Sequence, residues 1–318
     1  MPKAMPERSE RPTPSLAHRA EFYALRGVIG ALHALPWDTA CAFGERLGAL
    51  GYEPFGIRKH VVERQIAAAF PELSEADVHA LSRRSFEHLG RSTIETALLP
   101  ALGVRGILDL VESTDRFDLL EDAIKGGRGV VIASGHFGNW ELAGAYVAAR
   151  GVPLDVIVRG QANPLFDAYI NQTRGAIGMT VVHDQEAVRR TPRALRDGRA
   201  VAFIADQGVL GLASTFVPFF GRPAKTPRGA AVFAIRYDVP TLFVVAVRQP
   251  SGRYRLSVEP VEVPRTGDRD QDVDAIVAKY TAILERWVRT APEQYFWQHR
   301  RWRRQPPDTP EALRDPTR

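Results

Sequence analysis

The chain has 318 residues, 45% of them hydrophobic and 25% charged, enough for one large core or two modest ones. A single cysteine, Cys41, excludes a disulfide-stapled scaffold and a cysteine-rich zinc or iron–sulfur site. Forty-two basic residues against 37 acidic ones leave +5, too little to coat nucleic acid but enough for a local basic patch.

Residues 1–15 are polar and proline-containing, with no apolar h-region behind them, and read as a disordered tail. From Phe22 to Tyr52 the chain is fairly apolar, but Arg26, His33, Pro36, Asp38, Glu45 and Arg46 interrupt it. That pattern predicts two amphipathic helices split at Pro36 rather than a membrane-spanning one. Their apolar faces either pack on the core or lie in a membrane surface. Ser74 is an N-cap with Asp77 at the capping-box position, and Val78, Leu81, Phe86 and Leu89 supply the apolar face that follows. Residues 103–125 read as a short helix and turns. At Val130 the pattern changes. Apolar strand-type runs at 129–134, 152–159, 179–183, 200–208, 241–248 and 254–263 alternate with helix-type segments, one of them starting near Asn139. A long amphipathic helix follows and breaks at Pro292. The alternation predicts an α/β core over 101–305, a central, mostly parallel sheet flanked by helices. Residues 16–100 are then a helical appendage and 306–318 a second disordered tail.

The stretch SGHFGNWELAG, Ser134–Gly144, carries the chemistry. His136 lies just past a buried-type strand, at the C-terminal edge where open α/β sheets hold ligands. Four residues separate it from Glu141, inside the next helix. A carboxylate on one imidazole nitrogen fixes the tautomer, and the other nitrogen then accepts a proton from a hydroxyl. The plainer reading is a lone histidine at a strand end, with Glu141 a solvated helix residue. Ser134 sits in strand context, not in a G-x-S-x-G elbow, and Cys41 is distant, so neither is a candidate nucleophile. His183 has no patterned partner.

SGHFGNWE resembles the H-x4-D/E motif of the bacterial lipid A biosynthesis acyltransferases, a family that includes phosphatidylinositol mannoside acyltransferases. Arg64–Ser74, Val156–Gly178, Ala205–Arg236 and Pro292–Pro306 resemble further blocks of that family, in order, so the likeness spans roughly residues 16–305. It implies a glycerolipid-acyltransferase-like fold. It also implies transfer of a fatty acyl group from a thioester, on acyl carrier protein or coenzyme A, to a hydroxyl of a lipid A precursor or related glycolipid. No metal and no other cofactor are implied.

Carried over by position, His136 is the base and Glu141 its partner. Asp206 either supports the histidine or orients the acceptor, unless it is only a turn former. Asn139, Arg159 and Arg174 are substrate contacts, the arginines for phosphate or for the oxyanion, unless they are surface charge. Phe219 and Phe220, with Phe216 and Pro218, wall an acyl tunnel or fill the core. Lys225, Thr226 and Arg228 suit an anion at a helix start. Other acceptors are a phosphatidylinositol mannoside or a lysophospholipid. Competing functions are a thioesterase or esterase, in which water replaces the acceptor, and a non-catalytic lipid-binding protein at a membrane surface.

The run HRRWRR, His299–Arg304, with Trp297 and Trp302, suits an anionic membrane surface or an acidic carrier protein. No nucleic-acid-binding motif accompanies it. Many members of the family begin with a membrane anchor. The interrupted segment here implies a peripheral or monotopic protein on the cytoplasmic face of the inner membrane.

Overall fold

The computed structural model describes residues 13–208 and 211–318. Most of the first expected tail, residues 1–12, lies outside the described residues. Helices α1 (Leu16–His33) and α2 (Trp37–Tyr52) break at Pro36, as the sequence predicts. Helix α3 (Lys59–Ala69) precedes the long α4 (Glu75–Asp109). Ser74 caps α4, its hydroxyl oxygen accepting from the Asp77 N–H at 3.2 Å. Helices α2 and α4 touch backbone to backbone: a Cβ on Gly48 would meet the Phe86 carbonyl oxygen at 2.0 Å. The boundary expected at 100/101 falls inside α4, where Pro100 and Gly103 kink it.

The core follows as β1 (Val111–Asp115), α5 (Asp118–Lys125), β2 (Val130–Ser134), α6 (Trp140–Ala149), β3 (Leu154–Val158), α7 (Pro164–Ala176), β4 (Met179–His183), α8 (Asp184–Arg196) and β5 (Ala200–Ile204). A hairpin, β6 (Ser214–Phe219) and β7 (Arg222–Pro227), leads to α9 (Gly229–Tyr237), β8 (Thr241–Arg248), β9 (Tyr254–Pro260) and α10 (Arg269–Thr290). Seven strands form one sheet in the order β1-β9-β8-β2-β5-β3-β4, parallel except at β8–β9. Side chains alternate between its faces. Val130 and Ile132 of β2, with Leu242 and Val244 of β8, join α6 and the lower part of α4. Val131, Ala133, Phe243 and Val245 join α3, α9 and α10. This is the expected α/β fold.

Three parts differ from expectation. Strand β1, VESTD, is a polar edge strand within a stretch expected to be helix and turns. The β6–β7 hairpin lies where no strand was expected, and where Lys225 and Thr226 were expected at a helix start. The C-terminus is neither a basic surface patch nor a loose tail. Trp297 and Trp302 are fully buried, and Arg301 is nearly so. Arg301 donates to the Lys225 carbonyl and to Thr226 Oγ1, each at 2.7 Å, so it binds the hairpin and not a partner. Arg300 pairs with Asp315 at 2.6 Å, Arg304 reaches the Gly208 carbonyl at 3.5 Å, and only Arg303 of the four is exposed. Residues 306–318 contain a short 3-10 turn, Glu311–Leu313, and Asp315 is buried. Among the described residues no helix is long and apolar enough to cross a membrane.

Candidate active site

Strands β2 and β5 are parallel, with Ser134 opposite Ile204. Two residues beyond each lie His136 and Asp206, so the register delivers them side by side at the C-terminal edge of the sheet. His136 Nδ1 donates to Asp206 Oδ1 at 2.6 Å. Asp206 is buried behind the ring. Burial pushes its carboxyl up, but the facing His136 and, less strongly, the Arg301 guanidinium outweigh that and hold it at about 2. An ionised carboxylate only accepts, so Nδ1 carries the proton and Nε2 is left free to accept one. The Trp140 ring lies edge-on to the imidazole at 4.9 Å between centroids, and the Phe296 ring lies at 5.9 Å. Tyr295, its hydroxyl pushed well up by burial and next by Asp206, completes the wall behind the carboxylate.

The loop that bears His136 is fixed by its backbone. Phe296 N–H donates to the His136 carbonyl at 3.0 Å, Gly138 N–H to Gln294 O at 2.9 Å, and Asn139 N–H to Ala246 O at 3.0 Å. Gly138 has φ 61°, and a Cβ there would lie 1.9 Å from the Ala246 carbonyl oxygen. No other residue fits that turn.

Glu141 does not reach His136. It lies in the first turn of α6 and forms a two-pronged pair with Arg174, from the last turn of α7, with Nε donating to Oε2 at 3.0 Å. The carboxylate that orients the histidine is Asp206, which corrects the expectation from sequence proximity. Both members of the Glu141–Arg174 pair face a cavity of about 700 Å³, as does His136. Arg159 is exposed at its mouth, with no ion pair among the described residues.

The other expected contacts are structural. Asn139 is buried and caps α6, accepting from Leu142 N–H at 2.9 Å. Phe219 and Phe220 pack in the core against Tyr295, Phe70 and Trp297. Lys225 and Thr226 lie in β7 as acceptors for Arg301. Arg228 precedes α9 but is taken by Asp270, at 2.8 Å, and Asp274, at 2.9 Å. None of these six lines the cavity. Sequence reasoning in turn missed Trp140, Tyr295, Phe296 and Arg301. Trp140 stood within the Ser134–Gly144 motif, and the signal for Tyr295, Phe296 and Arg301 was the PEQYFWQHRR segment, whose arginine run read as a surface.

The side chains that line the cavity fall in two groups, called its two lobes, one on each face of the sheet. The first lies under α6 and is lined by Ile132, Ala143, Gly144, Val147, Leu154 and Met179. It runs from Val158 to Leu154 along β3, a depth of about 13 Å at about 3.3 Å per residue. The second lies toward α8 and α9, where Phe203, Ala230 and Phe233 are joined by Asp184, Gln207 and Arg236. A larger open groove, about 920 Å³ between α1, α4 and α7, contains none of the side chains around His136. Ser134 Oγ is committed to the Val244 carbonyl at 2.7 Å, and burial in α2 pushes the Cys41 thiol up to about 12. Among the described residues no cluster of three or more His, Cys, Asp or Glu is placed to hold a metal ion.

The family model for bacterial lipid A biosynthesis acyltransferases matches residues 11–304. The chain belongs to this family. It is 29% identical to a lipid A biosynthesis palmitoleoyltransferase of Escherichia coli over 88% of this chain and 90% of the relative. It is 28% identical to the lipid A biosynthesis lauroyltransferase of the same organism, over 89% and 92%. A phosphatidylinositol mannoside acyltransferase of Mycobacterium tuberculosis is 28% identical over 70% of this chain and 72% of its own length. Like its relatives in the lipid A acyltransferase family, this protein is an acyltransferase.

Proposed function

We propose that the enzyme moves a fatty acyl group from a thioester to a hydroxyl of a glycolipid of the lipid A precursor type. The observation that carries this reading is the free Nε2 of an Asp206-oriented His136 on the wall of a cavity with an apolar lobe. His136 Nε2 takes the acceptor's hydroxyl proton while that oxygen attacks the thioester carbonyl. A C–O bond forms, and the oxyanion is held by Arg174 and by the first N–H groups of α6, which have no partner within the helix. The C–S bond then breaks, and the departing sulfur recovers the proton from the imidazolium. Glu141 holds the Arg174 guanidinium in place. Arg159, at the mouth, suits a phosphate of the acceptor or of the thioester's carrier. The acyl chain lies in the lobe under α6.

The acceptor class rests on the relatives, since the two lipid A enzymes match more of the chain than the mannoside enzyme does. The donor is an acyl carrier protein or coenzyme A thioester. The enzyme works at a membrane surface, where exposed apolar side chains of α1 and α2 face the lipid. The test is transfer by purified protein from each donor to a lipid A precursor, followed by mass spectrometry of the lipid. Wild type acylates the lipid and His136→Ala does not. Equal transfer by His136→Ala, or thioester hydrolysis with no lipid product, overturns the reading.

A further inference from the structure

Behind the catalytic loop, on the side away from the cavity, lies a buried charged cluster that the reaction does not use. At its centre is Glu95 of α4, 1% exposed. Its carboxylate accepts from Arg91 Nε at 3.0 Å, from Arg248 Nη2 at 2.9 Å, from the Tyr254 hydroxyl, and from Asn139 Nδ2 at 3.1 Å. Arg91 extends the cluster to Glu45 of α2 at 2.7 Å. Arg248, at the end of β8, exchanges backbone bonds with the Gln294 side chain, and the Gln294 carbonyl holds Gly138. Two turns before Glu95, His88 Nε2 lies 3.2 Å from the Gly138 carbonyl, to which it donates. Helix α4 thus grips the two residues that follow His136 and Phe137, one through its backbone and the other through its side chain.

We propose that Glu95 is a positioning residue, which sets the place of His136 through Asn139 and Arg248. A buried carboxylate is costly, and here burial is outweighed by Arg248 and the other donors, so the group stays ionised. The fold has cheaper ways to pack α4 on the sheet. What an ionised centre adds is direction: four donors converge on two oxygens, and one of them is the residue that caps α6 and precedes Trp140, the ring against His136. A shift of about 1 Å at the base costs on the order of 100-fold in rate. The N-terminal helical region is therefore part of the catalytic mount and not an appendage.

The inference rests on His136 as the base, and the experiment separates the two. Asn139→Ser keeps an oxygen to cap α6 but is too short to reach Glu95. Tyr254→Phe removes a different donor to Glu95 and leaves the Asn139 Nδ2 bond to that carboxylate in place. Each removes one buried hydrogen bond, so a purely structural cluster predicts equal effects on kcat. Positioning predicts that Asn139→Ser lowers kcat by about tenfold or more with KM for both substrates held within about twofold. Tyr254→Phe keeps kcat within about twofold. Adding Glu95→Gln to Asn139→Ser lowers kcat by less than the product of the two single losses, because both act on the link through Asn139 and only the Arg248 link remains to be lost. Should Glu95→Gln fail to fold, the Asn139→Ser and Tyr254→Phe pair decides alone. Wild-type kcat in Asn139→Ser, or an equal fall in Tyr254→Phe, overturns the proposal. His136→Ala, run alongside, reports on the base itself, so the failure of one reading is not mistaken for the failure of the other.

Discussion

His136 and Asp206 stand 70 positions apart in sequence and 2.6 Å apart in space. Glu141, five positions from the histidine, belongs to Arg174 instead. The two carboxylates therefore predict different losses. In Asp206→Asn the amide can donate to Nδ1, which moves the ring proton to Nε2 and leaves no base. The expected fall in kcat is about 10⁴-fold, the scale reached when the carboxylate behind a catalytic histidine becomes an amide. Glu141→Gln loosens Arg174 but leaves the base intact, and kcat falls by only about tenfold. Steady-state rates of the two variants check this, and a larger loss in Glu141→Gln would restore the sequence-proximity pairing. The placement of His136, Glu141, Arg159 and Arg174 on one cavity was legible from the motif and the resemblance, because positions at the ends of strands and helices are local features. The role of Asp206 was left open, because it depends on the β2–β5 register, which no local pattern records.

At the scale of elements, apolar runs disclosed β2, β3, β5 and β8, whose side chains are buried or half-buried. Strand β1 was hidden by its polar edge sequence, and the β6–β7 hairpin by Pro218, Pro223 and Pro227, which demote a strand reading. Helix α6 was placed correctly, but its function as the roof of a lobe came from Gly144. A Cβ at this position would lie 3.0 Å from Met179 Sδ, so Gly144→Val fills the bore. We expect it to shorten the preferred acyl chain by about two methylenes, each excluded CH₂ costing about 0.8 kcal/mol, or about fourfold in kcat/KM. A series of saturated thioesters reads this directly. If Ala230→Val, on the opposite face of the sheet, shortens the chain instead, the acyl group lies in the other lobe. Helix α4 supports a prediction on pH. Burial and, next, the Arg248 charge push His88 down to about 3 from an ordinary 6.5. The unfolded chain then binds a proton between these values that the folded chain refuses, so stability falls as pH drops from about 6.5 toward 3. By pH 5 this amounts to about 2 kcal/mol. His88→Gln keeps an N–H for the Gly138 carbonyl and should lose that much less between pH 7 and pH 5 in urea unfolding. Asp206 adds nothing in this interval, since its loss begins only as pH falls below its ordinary value of 3.8 and is complete near its folded value of about 2.

At the scale of the molecule, the charge count was informative in a different place from the one its clustering suggested. Arg300 and Arg301 are spent on Asp315 and the hairpin, so the arginine run is interior architecture. For the membrane-surface contact proposed above, the surface offers apolar side chains. Phe43, Leu47 and Leu50 of α2 are each more than two-fifths exposed, and their i, i+4, i+7 spacing puts them in one stripe. Tyr23 and Val28 of α1, and Phe55 and Ile57 just past α2, are exposed as well. Such a stripe inserts into the interface without spanning it, and each apolar side chain contributes about 1–2 kcal/mol of partition. Replacing Phe43, Leu47 and Leu50 together with serine should therefore lower binding to anionic phospholipid vesicles by at least about 100-fold. These side chains are far enough out of the core that folding is retained, which thermal unfolding verifies. Arg303→Ala, at the one exposed arginine of the run, should change vesicle binding by less than about threefold. Undiminished sedimentation of the triple-serine variant with vesicles would remove α2 from the contact, and a large loss in Arg303→Ala would return the contact to the C-terminus.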